Sequence, residues 1–207
     1  MNEITSITPQ TKDKTRCNIY IDGRFYCGLT LQTAITHRLK VGQTVDLDFL
    51  SQIQLDSEKQ TALDKALTHI SATRKTEKQV RDFLSAKGYL PSVVDYVLEK
   101  MRGYNFLNDS EYAETFVQSF GEKKGERLIR MQLQAKGVDK ERIEQALDNL
   151  DEEKQQSGAV DILQKYMRGK VVDKPTLAKA FRYLMSKGYT YEVAKYALST
   201  IADLDEE

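Results

Sequence analysis

The sequence has no tryptophan, three prolines, two cysteines, two histidines and no excess of charge of either sign. Each scarcity excludes something. With 31 basic residues against 31 acidic, bulk attraction to a polyanion is excluded, although a local patch is not. His37 and His69 lack the cysteine or carboxylate spacing of a metal site, so no metal and no cofactor are expected. Gly121-Glu122-Lys123-Lys124-Gly125 has the wrong spacing for a phosphate-cradling loop and reads as a basic interhelical connection. No Ser/His/Asp or Cys/His constellation stands out, and no enzyme is expected. No apolar run approaches the ~18 residues of a membrane span. Met1-Asn2-Glu3-Ile4-Thr5 lacks the basic and apolar segments of a secretory signal, which predicts a cytoplasmic protein.

What is present is a repeat. Leu84-Ser85-Ala86-Lys87-Gly88-Tyr89 returns as Leu133-Gln134-Ala135-Lys136-Gly137-Val138 and as Leu184-Met185-Ser186-Lys187-Gly188-Tyr189. After each glycine, apolar residues recur at +9, +10 and +13: Val97, Leu98 and Met101, then Ala146, Leu147 and Leu150, then Ala197, Leu198 and Ile201. That set faces one side of a helix, and a period of about 50 residues with helical patterning points to tandem helical repeats. The glycines fall where a residue of positive φ ends a helix without steric cost.

The predicted fold is mainly α: three tandem three-helix repeats in an elongated array, preceded by a small β-rich N-terminal module. The module covers 1–55 and the repeats 56–207. In the module, Cys17 to Ile21 and Phe25 to Leu29 flank Asp22-Gly23, a strong hairpin signal. Ile4 to Thr8 and Val45 to Leu50 are further strand candidates, and Leu31 to Leu39 reads as a short helix. A two-residue turn would place Cys17 opposite Gly28, with Cys17 and Cys27 on opposite faces and no disulfide between them. The helices are expected at about 58–72, 76–87 and 91–102, then 109–120, 124–136 and 139–151, then 157–168, 175–187 and 190–202. Thr76-x-x-Gln79 and Asn108-x-x-Glu111 are capping boxes, and Pro91 and Pro175 suit first turns.

The neutral total hides segregation. At −14, −10 and −7 from the repeat glycine stand Arg74, Lys78 and Arg81, and again Lys123, Arg127 and Arg130, an i, i+4, i+7 face. Lys87, Lys136 and Lys187 occupy −1 in all three copies. The third copy keeps Lys174 but has Ala178 and Phe181 at −10 and −7. Its bases shift to Lys179 and Arg182, with Lys165, Arg168 and Lys170 upstream. Acids collect at 139–153 and in Asp203-Leu204-Asp205-Glu206-Glu207. A repeated basic stripe would track a nucleic-acid backbone or an acidic protein groove, whereas the alternative is a set of solvated helix faces. Tyr89, Tyr96, Tyr104, Tyr189 and Tyr196 read as core rather than as base-stacking platforms.

Three segments resemble the RecX regulatory proteins of bacteria. They are Arg74-Lys75-Thr76-Glu77-Lys78-Gln79-Val80-Arg81-Asp82-Phe83-Leu84 with Lys87-Gly88-Tyr89; Gly103-Tyr104-Asn105-Phe106-Leu107-Asn108-Asp109-Ser110-Glu111-Tyr112-Ala113, with two residues inserted or shifted; and Lys124-Gly125-x-x-Leu128-Ile129-x-x-Gln132-Leu133-x-x-Lys136-Gly137-Val138, with Gln132 for the usual Glu. The resemblance covers about 60–201. It implies a non-enzymatic modulator, most often an inhibitor, that lodges in the groove of the RecA filament on single-stranded DNA. It also implies a basic face touching RecA and DNA. By position that face comprises Arg74, Lys78, Arg81, Lys123, Lys124, Arg127, Arg130, Lys170, Lys174, Lys179 and Arg182. A monomer with weak DNA affinity of its own is expected. Two other readings remain open on the residues alone: a helical scaffold for another acidic protein, and a sequence-neutral nucleic-acid binder acting without a partner.

Overall fold

The structure is a computed structural model that describes residues 2–11 and 13–204; Asp205, Glu206 and Glu207 of the acidic C-terminal run lie outside the described residues. Three antiparallel strands, β1 (Ile4–Pro9), β2 (Arg16–Ile21) and β3 (Arg24–Thr30), form a sheet in the order β1-β2-β3. Among the described residues ten helices follow: α1 (Leu31–Thr36), α2 (Leu47–Ser71), α3 (Glu77–Ala86), α4 (Pro91–Gly103), α5 (Asp109–Phe120), α6 (Glu126–Ala135), α7 (Lys140–Leu147), α8 (Glu152–Met167), α9 (Lys174–Ser186) and α10 (Tyr191–Leu204). The chain divides into two compact units, Met1–Arg74 with Val80–Phe106 and Lys75–Gln79 with Leu107–Glu207.

In the first unit the hairpin turns at Asp22-Gly23, both with positive φ (47° and 80°), as a type I′ turn requires. A bulge then shifts the register: Tyr20 pairs with Phe25, but Ile19 pairs with Cys27 and Cys17 with Leu29. The extra residue overturns the expected pairing of Cys17 with Gly28. Cys17 and Cys27 both face the core, beside Ile19 and Leu29, as free thiols. Burial pushes the Cys27 thiol up to about 11.

The strand expected at Val45 to Leu50 does not form. Thr44 makes one isolated bridge to Glu3, and Asp46 then caps a helix by accepting the Asp48 N–H at 2.8 Å. Leu50, expected at the end of that strand, instead joins Ile53 in sealing the sheet from the first turns of α2. This 25-residue helix therefore starts well before the expected residue 58 and serves two neighbours: its first half packs on the sheet, and it also packs against α4.

The second unit holds two three-helix sets, α5–α7 and α8–α10, each around its own apolar cluster. Helix α7 stops at Leu147 rather than 151, because Asp151 already caps α8 by accepting the Glu153 and Lys154 N–H groups. Much of the acidic run thus serves helix termini: Asp139 and Asp151 are N-caps, while Glu141, Glu152 and Glu153 stand in first turns, where the helix dipole favours negative charge.

Candidate binding surface of basic and aromatic residues

The Lys-Gly corners set the geometry. Gly88, Gly137 and Gly188 have φ of 85°, 88° and 87°. In each, the N–H of the next residue (Tyr89, Val138, Tyr189) reaches back to the carbonyl of the repeat leucine (Leu84, Leu133, Leu184) at 3.1–3.3 Å. This is the Schellman ending of a helix.

Two corners also receive a neighbouring helix start. The Gly125 N–H donates to the Lys187 carbonyl at 3.0 Å, and the Arg127 N–H to that of Gly188 at 3.0 Å. A Cβ on Gly125 would overlap the Gly188 backbone, and one on Gly188 would overlap Leu128. Likewise the Thr76 hydroxyl donates to the Lys136 carbonyl at 2.6 Å, and the stem of Lys78 lies over Gly137. Thr76 and Gln79 form the expected capping box, with N–H bonds of 3.0 and 3.3 Å, and Asp109 accepts the Glu77 N–H at 3.0 Å.

The basic positions fall into two groups. At −7, Arg81 pairs with Asp95 at 2.7 Å. Arg130 makes a two-pronged pair with Glu144 (3.0 and 2.9 Å) and reaches Glu126 at 2.6 Å. Asp95 and Glu144 both stand at +7 from their glycine, so −7 and +7 join the middle and third helices of a set. Glu144 is held below the ordinary carboxylate range by the Arg130 hydrogen bonds. The third set has Lys195 at +7, opposite which an arginine would be repelled; there Phe181 packs edge-on against Tyr191 at 5.5 Å. This accounts for the departure at Phe181.

The other positions point outward. Arg74 and Lys123 precede α3 and α6 instead of standing on their faces, because those helices begin at Glu77 and Glu126; Arg74, Lys78, Lys123 and Arg127 are exposed, as are Lys170, Lys174, Lys179 and Arg182. Lys124 is half-buried. Its ammonium lies 3.8 Å from the Phe120 ring centre and donates to Gln132 at 2.7 Å, while burial and nearby Lys136 lower its pKa.

The loop carrying Lys123 and Lys124 is held from behind by residues the sequence reading missed. Gln155, 5% exposed, donates to the carbonyls of Gly121 and of Lys124 (3.0 Å to the latter) and accepts the Glu126 N–H at 3.2 Å. Gly158 lets α8 approach the Glu122 backbone, and the buried Tyr189 hydroxyl donates to the Glu122 carbonyl at 3.4 Å. Of the other tyrosines expected in the core, Tyr104 and Tyr196 are exposed (66% and 47%), because they follow α4 and stand on the outer face of α10. Among the described residues no group of three or more His, Cys, Asp or Glu could hold a metal ion, and no helix is long and apolar enough to cross a membrane.

A β-module followed by three-helix units with Lys-Gly corners defines a class, the helical-repeat proteins. Residues 2–46 match the regulatory protein RecX N-terminal domain, residues 62–101 the first RecX three-helix domain and residues 108–147 the second. The regulatory protein RecX of Clostridium beijerinckii is 32% identical over 99% of this chain and 98% of its own length; that of Clostridium botulinum strain Alaska E43 is 31% identical over 94% of each. A crystal structure of regulatory protein RecX superimposes with a TM-score of 0.69 at 26% identity, covering 94% of this chain and 98% of the other. RecX from Lactobacillus salivarius, at 23% identity and a TM-score of 0.64 over 72% of this chain, shares the fold. The chain belongs to the RecX family of regulatory proteins.

Proposed function

We propose that this protein regulates a RecA-type recombinase filament on single-stranded DNA, that it catalyses no reaction itself, and that it lowers the filament's strand-exchange, ATPase and coprotease activities. It acts in the cytoplasm as a monomer with weak DNA affinity of its own, through three tandem repeats over 56–207 behind a module of 1–55. The observation that carries this reading is the near-full-length relation to proteins named regulatory protein RecX.

The surface supports it. Lys123, Lys124 and Arg127 sit on or beside a loop clasped by Gln155 and Tyr189, so their charges are presented with little ordering cost on binding. Lys78, Arg74, Lys170, Lys174, Lys179 and Arg182 extend the set. Arg81 and Arg130 contribute by bracing the helices that carry it, not by meeting the partner.

The test is single-stranded-DNA-dependent ATP hydrolysis by a RecA recombinase with this protein titrated in. Loss of hydrolysis well below one copy per protomer supports the reading; unchanged hydrolysis at equimolar protein overturns it. Replacing Lys123, Lys124 and Arg127 by alanine should weaken inhibition while leaving the circular dichroism unchanged.

A further inference from the structure

The repeat carries a second feature besides its corner and its bases. Five residues before the glycine stand Phe83 in α3 and Tyr183 in α9. Each stacks on a ring from the first helix of its set: His69 on Phe83, centres 4.0 Å apart and planes within 1°, and Tyr166 on Tyr183, 4.4 Å apart at 19°. Each pair is flanked by ammonium groups. Lys87 lies 5.7 Å from the Phe83 ring centre, Lys187 lies 5.2 Å from that of Tyr183, and Lys170 stands 3.2 Å over Tyr166. All four rings are partly exposed.

In the first unit the pair walls an open groove of about 520 Å³, shared with Thr61, Asp64, Lys65 and Thr68. That volume lies in the range of about 300–1,000 Å³ usual for small-molecule sites. The groove offers aromatic surface, two ammonium groups, hydroxyls and one carboxylate, which are the partners of a base, a phosphate and the exocyclic groups of a nucleotide. The middle set lacks the arrangement. Gln132 takes the −5 position and accepts from Lys124, which in turn covers Phe120, and Phe116 is only 9% exposed.

We infer that the His69–Phe83 and Tyr166–Tyr183 pairs are two base-stacking sites for single-stranded DNA, with Lys65 and Lys87, and Lys170 and Lys187, holding the adjoining phosphates. The inference rests on the reading above only in taking single-stranded DNA as the ligand. Base–aromatic stacking tolerates any sequence, and the lysines supply the salt-dependent share of affinity. A chain of zero net charge can thereby hold a strand that bulk charge would not attract.

The test compares an oligothymidylate with an abasic strand of equal length, both labelled, by fluorescence anisotropy at low salt. The wild-type protein should bind the thymidylate about tenfold more tightly, as expected for one or two stacked bases. The double variant Phe83→Leu/Tyr183→Leu, which keeps apolar volume and loses the rings, should bind both strands alike. Equal affinity of the wild-type protein for the two strands overturns the inference, as does full thymidylate preference in the variant. No binding to either strand also overturns it, and inhibition of RecA ATP hydrolysis measured in parallel then tells whether regulation survives through protein contacts alone. A clear base preference without any inhibition would keep the sites and remove the regulatory reading.

Discussion

The corner ending α3 and the corner ending α9 share a Lys-Gly pair, a φ near 86° and the same backbone hydrogen bonds, yet differ in what touches them. Around Gly88 an added Cβ would meet nothing within 4 Å, whereas at Gly188 it would meet the Leu128 backbone. The sets differ again one helix on: Arg81 and Asp95 pair in the first, while Phe181 and Tyr191 pack in the third. A repeated sequence dictates the local ending of a helix because that ending depends on neighbours in the chain. It does not dictate the surroundings, which depend on the set that precedes: α6 starts against the Gly188 corner and α3 against that of Gly137.

The largest effect should come from Gly188→Ala. It combines left-handed strain with a collision against backbone that cannot step aside, for a loss of roughly 3–5 kcal/mol in urea unfolding of the whole chain. Gly137→Ala comes next, at about 2–3 kcal/mol, since Cγ and Cδ of Lys78 can swing aside although its Cβ cannot. A loss at Gly137 exceeding that at Gly188 would break the proposed order.

Arg130→Ala sharpens the comparison of the helix–helix pairs. Removing an arginine bonded to two carboxylates should cost about 1–2 kcal/mol after allowing for its partial exposure. Arg81→Ala, whose pair with Asp95 is more exposed, should cost less. The pH dependence has a definite sign. Glu144 is held below its ordinary value, so the pair stabilises fully above the unfolded carboxylate pKa of about 4.3 and loses its effect as pH falls through the lower folded value. The difference between wild type and Arg130→Ala should therefore shrink in acid, and a difference that grew there would contradict the assignment.

Much of this was legible in the sequence, and the failures have physical causes. Capping boxes, Pro91, Pro175 and the Lys-Gly corners mark helix ends through contacts of a few residues, and those ends fell within a residue or two of expectation. The bulge that turns Cys27 inward was not legible, because one extra residue in β3 leaves the hydrophobic alternation intact on either side of it. The start of α2 was misread because Val45, Leu47 and Leu50 suit a strand until Asp46 is recognised as a cap. Among the basic residues, the offsets alone do not separate those held in pairs: the −7 arginines meet carboxylates at +7, Asp95 and Glu144. That pairing was available from the sequence, since Asp95, Glu144 and Lys195 predict which copies can keep the arginine. The clasp by Gln155, Gly158 and Tyr189 was not, because it joins residues about 30 to 70 apart with no shared pattern.

The smallest effect belongs to Gly88→Ala. Nothing lies near its missing Cβ, so only the left-handed backbone opposes a side chain, at about 1 kcal/mol. Asparagine tolerates that conformation better than alanine, so Gly88→Asn should recover part of the loss, whereas Gly188→Asn should recover none because collision dominates there. The comparison of the two corners thus reduces to one contrast measurable in urea: strain is common to both, and contact is not. If Gly88→Ala lost as much as Gly188→Ala and Gly88→Asn recovered nothing, the first corner would have to be covered in solution by something other than its own set.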